Sequence, residues 1–499
     1  MSRFADLDAI AQAELVRAGD VSPAELVDAA IERIEALDPQ LEAVTVRNFE
    51  RARERARSPQ LEDGPFRGVP ILLKDALLES AGDPYTNGMR FLREAGHVST
   101  ADSWFAARLR AAGFVVVARA NAAQNAMFLT STDAETWGMS RNPWDTELST
   151  LGSSSGSAAA VASGMVPVAH GNDSGGSIRL PASACGLVGL KPSRGRNPQG
   201  PGVNELVAGI AAMNAENVLT RTVRDTAALL DVTSGPAPGD PVVAPAPARP
   251  YLEEVGADPG RLRVGVQREP FLRGVIEPHP DCLAAVEDAA ALLARLGHEL
   301  VEVDAPALDF GAGDFLYTPQ AAPAFVATAR LLDGWSRRLG REITVEDVGP
   351  QLLAAAGAGR AASAPAVLEM HALMFDELPR QLGTWWEAQR LDLLLTPTVG
   401  ILPPAYADFM PPPHGTFELP PDNPLAGTGF NALIVPYTIA FNVSGQPAIS
   451  LPLFWNEAGI PVGTQLAARY GREDVLIRVA SQLEQARPWA ERRPPVFAR

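Results

Sequence analysis

The stretch Leu151–Ser193, LGSSSGSAAAVASGMVPVAHGNDSGGSIRLPASACGLVGLKPS, decides how the chain is read. Two short Gly/Ser loops flank a run of small residues, SAAAVASG, and an apolar run, VPVAH. The first reads as a helix and the second as a strand. A Gly/Ser cluster on its own is commonly a flexible linker. Two such clusters, joined by an Ala-rich helix within a buried α/β pattern, read as loops that build a site.

Outward from this centre, short apolar runs alternate with helical patterns. The strand candidates are VPILLK, FVVVARA, VPVAH, RLRVGV, HELVEVD, LDLLLTP and AISLPLF. Between them lie SWFAARLRAAG, DTAALLDVTSG, CLAAVEDAAALLARLG and EDVLIRVASQLEQA. This alternation predicts an α/β fold with a largely parallel or mixed sheet. Residues 1–57 read as a helical segment, with Val21-Ser22-Pro23 as a helix start and Pro in the first turn. Residues 58–499 read as the α/β core. The proline-rich stretches 236–250 and 403–424 read as surface connections that do not separate two cores, so 1–499 is taken as one domain.

Composition narrows the function. The 499 residues are 46% hydrophobic and 20% charged, enough for a substantial core. A net charge of −17 argues against nucleic acid and against an anionic membrane surface as partners. No apolar run is long enough for a membrane span, and the N-terminus lacks an apolar signal region. Cys185 and Cys282 make neither a disulfide framework nor a metal cluster, and the six histidines show no ligand spacing. The expectation is a cytoplasmic protein with no metal and no cofactor.

Three motifs mislead. GSSSG matches the nucleophile elbow G-x-S-x-G around Ser154, but that motif needs a strand just before it, and NPWDTELST reads as turn-like. GNDSGGS resembles a phosphate loop without its lysine. His170 ends a buried strand and reads as a satisfied core histidine rather than a base.

What remains is a serine nucleophile without histidine. Ser177 follows Gly175-Gly176, and glycines let backbone N–H groups converge on a developing oxyanion. Its base should be a neutral amine or imidazole. Of 42 Lys plus Arg, only Lys74 and Lys191 are lysines. Lys74 ends the apolar run VPILLK. Lysine, unlike arginine, is neutralised by burial, and full burial lowers its pKa by up to ~3–5 units. A structural ion pair of Lys74 with Asp75 or Asp173 is the alternative at this point.

These residues resemble the amidase signature family of serine amidohydrolases. LGSSSGSAAAVA and GNDSGGSIRLPASACGLVGLKPS carry the likeness, supported by GVPILLKDA, SRNPWD, LLLTPT and FNVSGQPAISLPL. It extends from Leu7 to Trp489. The resemblance implies a single large α/β domain whose twisted, mixed, mostly parallel sheet is covered by helices on both faces. It implies Ser177 as the acylated nucleophile, Ser153 as a bridging serine on a cis peptide bond, and Lys74 as the base that completes a Ser–cisSer–Lys triad. The N–H groups of Ser174, Gly175, Gly176 and Ser177 match the oxyanion hole, and Asp173 and Arg179 match a bracing pair. Asn172 departs from the common threonine, Leu151 and Ser155 from glycines, and NAAQNA (121–126) from N-M-P-E.

Within the family, VAHGND, TRTVRDTAALLDVTSGPAPGD and YGREDVLIRVASQLEQARPW resemble the 6-aminohexanoate-cyclic-dimer hydrolase group, which opens nylon by-product lactams. The implied reaction is hydrolysis of a small, largely apolar amide or lactam through an acyl-enzyme, with substrate and water as partners and a homodimer allowed. Met127, Phe128, Trp137, Phe315 and Tyr317 are pocket candidates, each also readable as ordinary core. A carbamate- or ester-hydrolysing enzyme and the amidase subunit of a glutamine-dependent amidotransferase are the alternatives.

Overall fold

A computed structural model describes residues 3–127, 137–201, 213–273, 276–306, 308, 323–406 and 434–498. Among these, the strands in chain order are β1 (Val44–Arg47), β2 (Pro70–Lys74), β3 (Val115–Ala120), β4 (Arg141–Asn142), β5 (Asp145–Ser149), β6 (Val168–Asp173), β7 (Val188–Lys191), β8 (Ala215–Thr220), β9 (Arg263–Val266), β10 (Glu299–Glu302), β11 (Leu393–Pro397), β12 (Ala448–Trp455) and β13 (Pro461–Ala468). Strands β4 and β5 form a small ribbon. The other eleven make one sheet in the order β1-β3-β2-β6-β8-β7-β12-β13-β11-β9-β10.

The sheet is mixed. Parallel pairs form two blocks, β3–β2–β6 and β11–β9–β10. Each parallel link in the first block is made by a helix, Trp104–Ala111 between β2 and β3 and Ser155–Ala162 between β3 and β6, as crossover connections require. The sheet centre runs antiparallel for a specific reason. Strands β6 and β7 point the same way, but β8 inserts between them, antiparallel to both. The β12–β13 hairpin then continues the antiparallel run.

The N-terminal segment is not wholly helical. Helix Pro23–Leu41 starts as expected: the Ser22 side chain accepts from Glu25 N, and the Glu25 carboxylate accepts from Ser22 N. Such a capping box stabilises a helix by roughly 1 kcal/mol. The segment 44–47, however, is strand β1. Its Val-Thr-Val run suits an extended edge strand, and it pairs antiparallel with β3. Val27, Ala30, Ile31 and Ile34 of the preceding helix pack in one core with Val115, Val117 and Ala158–Ala162. The N-terminal segment therefore shares its core with the central Gly/Ser region. No helix among the described residues is long and apolar enough to cross a membrane.

Because β2, β3 and β6 are parallel, their C-terminal ends reach one edge of the sheet. Lys74, the loop after Ala120 and the Asp173–Ser177 loop emerge there together. That edge is where ligands bind in open α/β sheets.

Candidate active site

Lys74 is fully buried at the end of β2. Its Nζ lies 2.8 Å from Ser153 Oγ and 2.6 Å from Asn172 Oδ1. Neither carboxylate of the structural alternative takes it. Asp75 accepts instead from Thr86 N and from the Thr86 and Thr45 hydroxyls, and Asp173 is engaged by Arg179. Burial pulls the Lys74 ammonium down to about 7, against the opposing attraction of Glu216 and Asp173. At neutral pH a substantial fraction of the amine is therefore uncharged.

Ser153 stands in the first Gly/Ser loop, and the Gly152–Ser153 peptide is cis. Leu151, where the family commonly has glycine, keeps a left-handed φ of 56°. Its N–H donates to Ser149 Oγ at 2.9 Å, which helps hold this conformation. The loop runs into helix Ser155–Ala162, which is buried along its whole length. Its small residues permit close approach. A Cβ on Gly156 would stand 2.2 Å from Ala43 O and 2.5 Å from Asn121 N. A short strand, β5, does precede this loop, contrary to the turn-like reading of NPWDTELST. Alternation of exposed and half-buried residues along DTELS accounts for it. Ser154 itself is buried, with its hydroxyl directed at Asn172 O at 3.4 Å.

Ser177 lies half-buried in the turn between β6 and helix Arg179–Cys185. The turn is braced from behind. Arg179 binds Asp173 bidentately, Nε to Oδ2 and Nη2 to Oδ1, both at 2.9 Å. Asp173 also accepts from Ile178 N at 3.2 Å, so one carboxylate ties both ends of the 174–177 loop. Burial alone would raise the Asp173 carboxyl, but Arg179, with Asn442 and Lys191, outweighs it and holds the group down at about 2. Gly176 adopts φ 143°, and a Cβ there would meet Thr438 Oγ1 at 2.7 Å. Only glycine suits this turn. Ser174 and Gly175 are half-buried and complete the loop.

The sequence reading missed the residues that hold this brace. Arg179 also donates to Thr438 O at 3.0 Å, Gln465 Oε1 at 2.7 Å and Asn442 Oδ1 at 2.6 Å. Asn442 Nδ2 donates back to Asp173 at 2.8 Å. A signal existed in the lone Asn of the apolar run TIAFNVSG and the Gln within VGTQLAA. His170 is buried as expected, but it is only half satisfied. Nε2 meets Glu216 Oε2 at 2.6 Å, while Nδ1 has no partner among the described residues. Burial pushes its pKa down despite Glu216. Glu216 Oε1 accepts from Asn214, and Asn214 Oδ1 accepts from the Ser174 hydroxyl. A polar chain thus runs from the sheet interior to the serine loop.

Pocket candidates are less well placed. Met127 packs against the cluster containing Met89, Phe91 and Leu352, and its sulfur accepts from Thr328. Trp137 is nearly buried, with the Arg93 guanidinium 4.7 Å over its ring. Phe128, Phe315 and Tyr317 lie outside the described residues, as does most of the proline-rich stretch 403–424.

A buried amine against a serine, with a second serine in a braced glycine loop at the same edge of the sheet, invites comparison with known hydrolases. The family model described as Amidase matches residues 25–477. The chain belongs to the amidase family. It is therefore an enzyme, a hydrolase of amide C–N bonds. A 6-aminohexanoate-cyclic-dimer hydrolase of Paenarthrobacter ureafaciens is 43% identical over 500 residues, covering 98% of this chain and 97% of the relative. The solved structure of a 6-aminohexanoate cyclic dimer hydrolase with its substrate superposes with a TM-score of 0.89 at 39% identity, covering 99% of this chain and all of that one. A bacterial aryl acylamidase of the amidase signature family superposes with a TM-score of 0.84 at 26% identity, covering 97% of each chain. This amidase is closely related to the 6-aminohexanoate-cyclic-dimer hydrolases and shares their single-domain mixed α/β fold.

Proposed function

We propose that this amidase hydrolyses a small, largely apolar amide or lactam through an acyl-enzyme on Ser177. The observation that carries the mechanism is the 2.8 Å contact between buried Lys74 Nζ and Ser153 Oγ, with the amine pulled down to about 7. A neutral amine so placed accepts the Ser153 proton as Ser153 takes the proton of Ser177. Ser177 Oγ then attacks the amide carbonyl. Negative charge on the carbonyl oxygen is met by N–H groups of Ser174, Gly175, Gly176 and Ser177. As the intermediate collapses, the C–N bond breaks and the relay returns its proton to the leaving amine. Water attacks the resulting ester by the same relay in reverse, releasing the carboxylic acid and restoring Ser177. A lactam opened this way leaves one chain carrying both amine and carboxylate.

The substrate class rests on the relatives. The cyclic dimer of 6-aminohexanoate has no net charge, and two proteins of that activity are 43% identical to this chain over nearly its whole length.

The test is an activity panel with purified protein: 6-aminohexanoate cyclic dimer, linear amides, anilides, carbamates and esters. Cleavage of the dimer supports the lactam reading. Turnover of carbamates or anilides alone overturns it. A fluorophosphonate should label Ser177, as read by peptide mapping. Labelling of Ser154 instead overturns the mechanism.

A further inference from the structure

The side chain of Asn172 occupies an unusual place. In the antiparallel register of β6 and β8 it stands directly opposite Glu216. Strand β2, which ends in Lys74, runs along the other side of β6. Asn172 therefore separates a buried amine from a buried carboxylate. Both ends of its amide are engaged: Oδ1 lies 2.6 Å from Lys74 Nζ, and Nδ2 donates to Ala76 O at 2.9 Å. The second bond fixes which end faces the lysine. Together with Ser153 Oγ, Asn172 Oδ1 sets the direction of the amine.

We propose that Asn172 is the positioning residue of the Lys74 base, an uncharged acceptor that aims Nζ at Ser153 without supplying a negative charge. This rests on the reading of Lys74 as the base. The acids that face the lysine are already occupied. Asp173 is bound by Arg179, and Glu216 by Asn214 and His170. A carboxylate in place of the Asn172 amide would stand in direct contact with Nζ, favour its charged form and silence it as a base near neutrality. An amide accepts the same hydrogen bond and leaves the amine free to give up its proton.

The experiment follows the rate at which a fluorophosphonate modifies Ser177 between about pH 5 and pH 10. In that reaction Ser177 Oγ displaces fluoride from phosphorus and its proton passes to the base. Wild type is compared with Asn172→Asp, Asn172→Ala and Asn172→Thr, with melting curves to verify folding. Asn172→Asp should move the midpoint of the rate upward by about one pH unit or more. Asn172→Ala should lower the high-pH plateau by roughly tenfold, and Asn172→Thr, which offers a hydroxyl acceptor, should recover most of that loss. A purely structural Asn172 would move the melting curves and leave the midpoint alone. If Asn172→Asp does not fold, the plateaus of the Ala and Thr variants decide. Midpoints and plateaus within about twofold of wild type in every folded variant overturn the proposal. Lys74→Arg separates the two claims. If it is slow while the Asn172 variants match wild type, only the positioning role fails. If it labels as fast as wild type, the base reading fails and takes this proposal with it.

Discussion

Lys74 and Lys191 are the two lysines of the chain, and they make a natural comparison. Each ends a strand, β2 and β7, each is buried, and burial pulls each down to about 7. Their surroundings differ. Lys74 Nζ touches two side chains, Ser153 Oγ and Asn172 Oδ1, at the edge of the sheet where a second serine waits. Lys191 Nζ donates to one backbone carbonyl, Pro192 O, at 2.9 Å, behind the Asp173–Arg179 pair whose charges act on it. A depressed pKa is thus what burial does to any lysine. A base is a buried lysine that also reaches a transferable proton.

The sharpest way to break this contrast is to make each lysine a permanent cation. Lys74→Arg keeps the charge but cannot accept a proton, so kcat/KM should fall at least ~100-fold. A variant with near-wild-type activity would make Lys74 as structural as Lys191. The next largest effect is on pH. The proposed relay needs the neutral amine, so kcat/KM of the wild type should rise about tenfold per pH unit below a midpoint near 7, where burial sets Lys74, and then level off. A profile flat from acid to alkali would deny Lys74 its role.

Lys191 should matter to stability rather than to rate. Its folded pKa lies below that of the unfolded chain, so the unfolded state binds more protons between about 7 and the unlowered lysine value. The unfavourable charging cost is full below that window and is relieved as pH rises through it. Lys191→Met should therefore raise the denaturant midpoint at pH 6, by up to a few kcal/mol of stability, and gain less near pH 10. Its kcat should stay within about fivefold of wild type. A loss comparable to that of Lys74→Arg would erase the distinction. The smallest effect expected is none at all: chelation of divalent ions should leave the rate unchanged, since the proposed relay from Ser177 through Ser153 to Lys74 asks for no metal.

What was legible in the sequence follows from the same physics. The parallel strands β2, β3, β6, β9, β10 and β11 were all visible as apolar runs, and all but β10 are buried along most of their length. Strands β7, β8 and β13 were missed. AENVLT and PVGTQLAA carry Glu216, Asn217 and Gln465 among their apolar residues, and these side chains satisfy buried partners: His170, Leu190 O and Arg179. A periodicity reading counts such residues as surface. The candidate site was readable because its glycines and serines are contiguous in two loops. Its anchors at Thr438, Asn442 and Gln465 were not, since a lone polar residue in an apolar run marks a buried hydrogen bond without naming a partner hundreds of residues away.

That separation governs when the site can exist. Arg179 and Gln465 are 286 positions apart in the chain. A ribosome adding ~5–20 residues per second takes roughly 15–60 s to cover that distance. Throughout that interval the nascent chain already carries Lys74, Ser153 and Ser177, and Arg179 already has Asp173, but the brace lacks Gln465 and, for most of that time, Thr438 and Asn442 as well. Synthesis thus imposes its own delay on the hydrolase: it can become competent only once its C-terminal hairpin has been made.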